Sequence, residues 1–433
     1  MATAKEFFNA LDNAKPIDFS DPNQAKFYVE NLQGDNDAAS LLAREIDFRE
    51  GQGVYLFTGQ VGSGKSTELR RLQSKLRADG CSVFYIDLDQ WLNADQPIEL
   101  GSFLLAVVTA WIDQTGTVSA SRSPAQRFTD FLTRTKIELG NLTLSLDFGV
   151  VKKNVQLALS QDLTVVQHIE DTLRANRTGF IAQVHEFVQT LVAEFPIGKK
   201  IVLLVDSLEK FPEKTGSDGK PQDSVLALFQ NAHALKLPLV HVVYSISYLV
   251  YEQNRQLPAQ LGGAIAVNLS SVHVFEHHST RPDAAGLLRM KELLTKRYAP
   301  WPEFFTEAQI HAAIENTGGD LRDFMRVLQV ALLSHRVPNT LRITDVDLAY
   351  GYDQIRPSLA IDGHHVGWMT RLQASHEPEL GDPIDFTVLN RYLQTKHVLA
   401  YLNGKTWYAL HPLIRVEVAA MQQRALVRLQ DSF

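Results

Sequence analysis

The sequence is poor in sulfur, with one cysteine, Cys81, and five methionines among 433 residues. A single cysteine excludes an internal disulfide framework and fits a reducing compartment. Cys81 opens an apolar β-type run, where it is expected as a small core residue. Net basic charge is also lacking. The 42 Lys and Arg stand against 49 Asp and Glu, for a formal charge of −7, which excludes a generally basic coat and leaves only local patches for nucleic acid. Nor is there a run apolar enough to span a membrane. The longest, Leu237 to Tyr251, is broken by Pro238, His241 and two serines and falls short of the ~18 uninterrupted residues required. Met1 to Glu6 lack the basic-then-apolar order of a secretory signal. The expectation is a cytoplasmic protein without membrane contact. The 14 histidines are scattered without zinc spacing, so no structural metal is expected. His277-His278 and His364-His365 read as surface pairs.

What is present is ordinary globular composition, 45% hydrophobic and 21% charged. At ~150 residues per domain, the length implies two to four domains. One segment stands out from this background. Gly59-Gln60-Val61-Gly62-Ser63-Gly64-Lys65-Ser66-Thr67 has the spacing G-x-x-x-x-G-K-[ST] of a phosphate-binding P-loop. It lies between an apolar β-type run, Val54 to Thr58, and a helix from Lys65 to Leu76 with Leu69, Leu72 and Leu76 on one stripe. The glycines permit positive φ and close approach to an anion. Backbone N–H groups and the helix N-terminus then surround the phosphate. Lys65 supplies an ammonium to the β- and γ-phosphates, and the Ser66 hydroxyl is the expected Mg²⁺ ligand.

A second element supports the first. Ile201-Val202-Leu203-Leu204-Val205-Asp206 is a run typical of a strand buried on both faces of a parallel sheet, and it ends in a carboxylate. Lying about 140 residues after the P-loop, it has the Walker B form, in which Asp206 shares the Mg²⁺ with Ser66. Two further β-type runs, Cys81 to Asp87 and Leu239 to Tyr244, belong to the same sheet.

The rest of the chain is organised around this core. Phe7, Phe8 and Leu11 mark a short helix, and another is expected around Ala38 to Ile46. Within 113–198, Leu142, Leu144, Leu146, Phe148 and Val150 alternate with small or polar residues, and Val155, Leu157 and Leu159 continue the alternation. This pattern predicts a half-buried hairpin in an insertion where a partner could bind. A helix from Thr178 to Phe195 follows. Later helices begin at Arg281, at the capping box of Thr306 to Gln309, at Asp320 and at Thr344. Asn403-Gly404 between two β-type runs predicts a hairpin. Helix, helix and hairpin give the order of a winged-helix domain, and few lysines or arginines surround this wing.

With these motifs, the region of about 51–335 resembles P-loop ATPases of the AAA+/STAND type, in particular origin-recognition-like AAA+ proteins. Similar proteins occur in bacterial conflict and anti-phage operons. The resemblance implies an α/β fold: a P-loop parallel-sheet core, a helical lid and a small α+β winged-helix-like C-terminal domain. The expected boundaries are a lead-in at 1–50, a core at 51–275 with its insertion at about 113–198, a lid at 276–336 and a winged-helix-like domain at 337–433.

The resemblance also implies roles for individual residues. The position after the Walker B aspartate is Ser207 and the nearest acid is Glu209, which either activates the attacking water or caps the next helix. Ser245, and after it Ser247, corresponds to sensor 1. Gly318-Gly319-Asp320-Leu321-Arg322 resembles sensor 2 with one extra residue before the arginine, which makes Arg322 the sensor. Arg255, with Arg281 as alternative, corresponds to the arginine finger of a neighbouring subunit, and Tyr28 and Val29 to a base pocket. The implied cofactors are ATP and Mg²⁺. The implied activity is slow ATP hydrolysis in a nucleotide-controlled switch or assembly factor, acting as a homo-oligomer with an effector protein. Two rivals remain: an ATP-dependent DNA-binding loader or regulator, and a small-molecule kinase. The distant Walker B and the C-terminal hairpin weigh against the kinase.

Overall fold

Helices and strands begin and end where the local chemistry directs them. A computed structural model describes residues 3–12, 16–34, 37–115, 130–133, 148–215, 221–263, 266–336, 341–378 and 383–430. In chain order the main elements are α1 (Ala4–Ala10), α2 (Ala38–Phe48), β1 (Gly53–Gly59), α3 (Lys65–Ala78), β2 (Ser82–Asp87) and α4 (Leu100–Thr115). Next come α5 (Phe148–Gln161), α6 (Leu163–Ala175), α7 (Arg177–Val192), β3 (Ile201–Asp206), β4 (His241–Ser247) and β5 (Ala266–Leu269). Then follow α8 (Ala284–Arg297), α9 (Glu307–Asn316), α10 (Leu321–Ser334) and α11 (Asp345–Asp353). The chain closes with α12 (Val366–Ser375), α13 (Pro383–Gln394), β6 (Val398–Asn403), β7 (Lys405–Leu410) and α14 (Pro412–Gln430). No helix among the described residues is long and apolar enough to cross a membrane.

The chain divides into two compact units that do not follow sequence order. One comprises Ala39–Thr58 and Leu69–Val267; the other comprises Met1–Ala38, Gly59–Glu68 and Asn268–Phe433.

The first of these units is built on a five-stranded sheet in the order β2-β3-β4-β1-β5. β2 pairs with β3, and β3 with β4, in parallel; the register sets Ser82 opposite Ile201 and Asp87 opposite Asp206. Every residue of β3 is buried, which is why its sequence runs apolar without alternation. Helix α4 is buried continuously from Leu100 to Ile112 and packs against β2, α5, α6 and α7; a helix enclosed on all sides carries no polar stripe. Its N-terminus is capped by a distant carboxylate. Buried Glu170 of α6 accepts hydrogen bonds from the Gly101 and Ser102 N–H groups (3.3 and 2.9 Å) and the Ser102 hydroxyl (2.8 Å). Burial nevertheless holds this carboxyl above the usual range.

Two expectations are corrected in this unit. Residues from Phe148 through Leu159 form part of a helix, not a hairpin arm; residues 142–147 lie outside the described residues. Val155, Ala158 and Leu159 are buried while Leu157 is 48% exposed. That is the i, i+3, i+4 stripe of a helix, which overlaps alternation at positions 155 and 159 and differs at 157. The strand expected from Leu239 begins at His241 and extends through Ser247. Leu239 is an exposed turn residue at φ +62. His241 accepts or donates a 2.9 Å hydrogen bond with the Tyr55 hydroxyl, and burial lowers its pKa to about 4. Cys81 sits just before β2, half-buried, with its thiol pushed up by burial.

The second unit is mainly helical. Phe7 of α1 stacks on Tyr298 with centroids 4.5 Å apart and meets Phe304 edge-on at 5.3 Å. Capping boxes start α1 at Thr3, α9 at Thr306 and α11 at Thr344. Gly318 and Gly319 join α9 to α10, both at positive φ. A Cβ on Gly319 would overlap the Val272 carbonyl oxygen, and one on Gly318 would crowd Leu399 and the Tyr401 hydroxyl, so the pair is required sterically as well as torsionally. The predicted C-terminal hairpin is present: β6 and β7 pair antiparallel from Val398↔Leu410 to Asn403↔Lys405, with Gly404 at φ +101. Preceded by α12 and α13, it completes a winged-helix-like α+β arrangement that follows helices α8 to α11 in the chain.

Candidate nucleotide-binding site

The P-loop joins the C-terminal end of β1 to the N-terminus of α3. Gly62 and Gly64 take φ of +87 and +98, conformations in which an L side chain is strained. At Gly59 a Cβ would overlap the Leu269 carbonyl oxygen. Lys65 is buried, with its ammonium donating to the carbonyls of Gly59 and Gln60, each at 3.2 Å. The Ser63 hydroxyl is buried without a hydrogen-bond partner among the described residues. An orphaned hydroxyl, two positive-φ glycines and a buried ammonium at the head of a 14-residue helix together form a cradle suited to a phosphate.

Other parts of the same unit support the loop. The Gln33 amide donates to the Ser63 carbonyl at 2.9 Å. Buried Gln60 is satisfied at both ends of its amide. Its Nε2 donates to the carbonyls of Leu393 (3.1 Å) and Val398 (2.6 Å), and its Oε1 accepts from Ala400 N–H (3.0 Å) and the Ser271 hydroxyl (3.1 Å). A Cβ on Gly62 would come 3.3 Å from Asp320 Oδ2 and 3.4 Å from Lys396 Nζ. The turn that resembles sensor 2 therefore presents Asp320 to the P-loop, with Leu321 near Gly64, while Arg322 is exposed on α10. The Tyr28 hydroxyl donates to Glu68 at 2.6 Å and Val29 is buried.

In the sheet unit, Asp206 is buried at the C-terminal end of β3. One of its oxygens accepts from the Ser207 N–H at 2.8 Å and the other from the Tyr85 hydroxyl. Burial, and then the Asp206 charge, raise the Tyr85 pKa, so the phenol stays a donor. The Arg70 guanidinium lies 3.5 Å over the Tyr85 ring. Ser207 takes φ +75 and donates its hydroxyl to Asp87 at 2.7 Å. Non-glycine backbone in this region carries strain that surrounding structure must hold.

Glu209 lies on the single turn Leu208–Lys210, and the buried Ser245 hydroxyl of β4 donates to it at 3.3 Å. The structure thus brings together Glu209 and Ser245, while the Ser247 hydroxyl has no partner among the described residues. Arg255 is ion-paired with Glu252 at 2.6 Å, its side chain 72% exposed; Arg281 is likewise exposed and pairs with Glu276 at 3.2 Å. Motif reading gave no site role to Tyr85 and Asp87, the polar neighbours of Asp206 and Ser207, or to Asp320 and Lys396, the polar neighbours of Gly62. Asp87 ends a β-type run as Asp206 does, a signal visible in the sequence. Lys396 has no such signal.

No family model matches the chain, and no curated protein does. Solved structures do resemble it. The chain is similar to the ORC2 protein of Aeropyrum pernix, solved as ADPNP–ADP complexes (11% identity, 97% of this chain and 98% of that chain, TM-score 0.42). It is similar to a Walker-type ATPase of Pyrococcus abyssi (14% identity, 95% and 99%, TM-score 0.45). It is also similar to the Aeropyrum pernix ORC1 protein in complex with DNA (12% identity, 98% of each, TM-score 0.41). All three scores lie below one half. The P-loop NTPase fold rests instead on the chain's own strand order and on the loop between β1 and α3.

Proposed function

We propose that the protein binds Mg-ATP and hydrolyses it slowly, as a nucleotide-controlled switch or assembly factor. The observation that carries this reading is the P-loop itself: Gly62 and Gly64 at positive φ, Lys65 buried, and the Ser63 hydroxyl without a partner among the described residues at the head of α3. Loop residues Gly59 to Thr67 would hold the phosphates through backbone N–H groups. Lys65 would exchange its two carbonyl acceptors for phosphate oxygens, which a charged donor favours. Ser66 and Asp206 would hold Mg²⁺, an ion usually bound by one or two protein groups together with phosphates and water. When bound, Mg²⁺ neutralises charge developing on the β- and γ-phosphates. Glu209, aligned by the Ser245 hydroxyl, would take the proton of the attacking water. Arg322 and Arg255 would contribute positive charge as sensor 2 and as a finger in a homo-oligomer.

The four-segment division into lead-in, core, lid and winged-helix-like domain belongs to this proposal. So does an effector protein partner of the kind found in anti-phage operons, an association that rests on resemblance alone, as does the cytoplasmic location. A DNA-binding loader is the second reading, favoured by the winged-helix-like hairpin β6–β7. It predicts DNA binding that weakens steeply with salt.

Titration with ADP and ATP tests the main reading. Lys65→Ala should abolish tight nucleotide binding while leaving the melting temperature of the free protein nearly unchanged. Wild-type affinity in that variant would sink the P-loop assignment.

A further inference from the structure

Lys396 stands in the turn between α13 and β6 at φ +63, a conformation uncommon for lysine. Its ammonium is paired with Asp320 Oδ1 at 2.7 Å and Asp323 Oδ1 at 3.4 Å. It also lies against the P-loop, where both Nζ and Cε come 3.4 Å from the place a Cβ on Gly62 would take. The P-loop thus meets a second lysine besides Lys65, delivered by a segment more than 300 residues later in the sequence.

The placement is held from several sides. The Gln60 amide bonds Leu393, Val398 and Ala400, on both sides of Lys396. The Ser271 N–H donates to the Ala400 carbonyl at 3.1 Å. The Tyr401 hydroxyl donates to the Gly318 carbonyl at 2.7 Å, tying β6 to the turn that carries Asp320.

Charge gives this placement a purpose. Asp320 Oδ2 sits as close to Gly62 as the lysine does, and a buried carboxylate beside a phosphate cradle would repel its ligand. Lys396 screens that charge and presents a donor to the same space. His411 provides Asp323 with another partner, its Nε2 3.7 Å from Asp323 Oδ2, so one carboxylate keeps a neighbour when the lysine turns toward a ligand.

We propose that Lys396 is a phosphate-binding residue for a nucleoside di- or triphosphate, held over the P-loop by Asp320 and Asp323. This rests on the nucleotide reading above and adds to it the winged-helix-like segment as a source of ligand contact. It also assigns the role of a distal phosphate cation to Lys396, independently of Arg322 on the exposed face of α10.

The test measures ADP and adenosine affinity by calorimetry for wild type, Lys65→Ala, Lys396→Arg, Lys396→Met, Asp320→Asn and the double variant Lys396→Met with Asp320→Asn. The double variant removes the buried carboxylate that the lysine neutralises, so it keeps the measurement available if Lys396→Met alone unfolds. A charged hydrogen bond is worth ~1.5–3 kcal/mol, so ADP binding should weaken about 10- to 100-fold in Lys396→Met, and in the double variant relative to Asp320→Asn. Adenosine binding should be unchanged, and Lys396→Arg should keep most of the ADP affinity. In unmodified protein, ADP but not adenosine should protect Lys396 from amine acylation read by mass spectrometry. Wild-type ADP affinity without Lys396, equal losses for ADP and adenosine, or unchanged labelling with ADP would each overturn the proposal. Failure of wild type to bind ADP, or equal binding by Lys65→Ala, would instead defeat the nucleotide reading itself.

Discussion

Asp206 and Glu209 are three residues apart and both acidic, yet their surroundings differ. Asp206 is buried and accepts from the Ser207 N–H and the Tyr85 hydroxyl; Glu209 meets the Ser245 hydroxyl of the neighbouring strand. A metal ligand and a general base should respond differently to substitution. For Asp206→Ala, the expected outcome is a larger loss of ATP affinity with Mg²⁺ than without it, read by titration in magnesium and in chelator. Equal losses would count against a metal role. For Glu209→Gln, ATP binding should persist while single-turnover hydrolysis falls ~10²–10⁴-fold, the scale of a lost general base. Unchanged hydrolysis would reduce Glu209 to a structural turn residue. P-loop residues were recognisable because their spacing is itself the chemistry. Tyr85 was not, since a tyrosine in an apolar run looks like any core aromatic until β2 is set beside β3.

At the scale of elements, α4 shows how a helix can be buried continuously from Leu100 to Ile112, with Ser102 and Thr109 the only polar side chains in that stretch. Its sides are covered by β2 and by α5, α6 and α7, and its exposed-by-geometry N–H groups are met by Glu170. The raised pKa of Glu170 has a definite sign. The folded state holds the proton more tightly than the unfolded chain, so this group's contribution is fully present below the unfolded value of about 4.3. It is lost as pH rises through the higher folded value. Relative to Glu170→Gln, wild-type stability should therefore decline over that rise, as measured by urea unfolding at a series of pH values. Parallel stability curves would place the carboxyl at its ordinary pKa. Helix α5 carries a different lesson. Its alternating residues matched a strand template over a short window, and only the burial of Ala158 beside Leu159, with Leu157 exposed, separates the two periods.

For the whole molecule, the question is whether one chain suffices for catalysis. Arg255 is exposed and engaged only locally with Glu252 in the pairings described, a position from which it could serve a neighbouring copy. A finger of this kind is worth ~10³–10⁵ in rate. Arg255→Ala and Lys65→Ala chains should each be inactive alone, and mixing them should restore part of the ATPase activity through sites that combine an intact P-loop with an intact arginine. Native mass measurement with ATP should show oligomers. Normal hydrolysis by Arg255→Ala alone, or a monomer under all nucleotide conditions, would refute the shared site.

Features whose cause is local were legible in the order of the residues. The P-loop spacing, the doubly buried strand ending in Asp206, the capping threonines at 306 and 344 and the hairpin at Asn403-Gly404 each follow from backbone freedom, hydrogen bonding or periodicity within a few residues. Which distant side chains complete them emerges only when the chain is folded. The Gln60 amide bonds a strand more than 300 residues away, Asp320 rather than Arg322 faces Gly62, and Lys396 lies beside them. No local pattern encodes these meetings, because burying an amide or a lysine is favourable only when the fold supplies its partners, and those partners lie far apart along the chain.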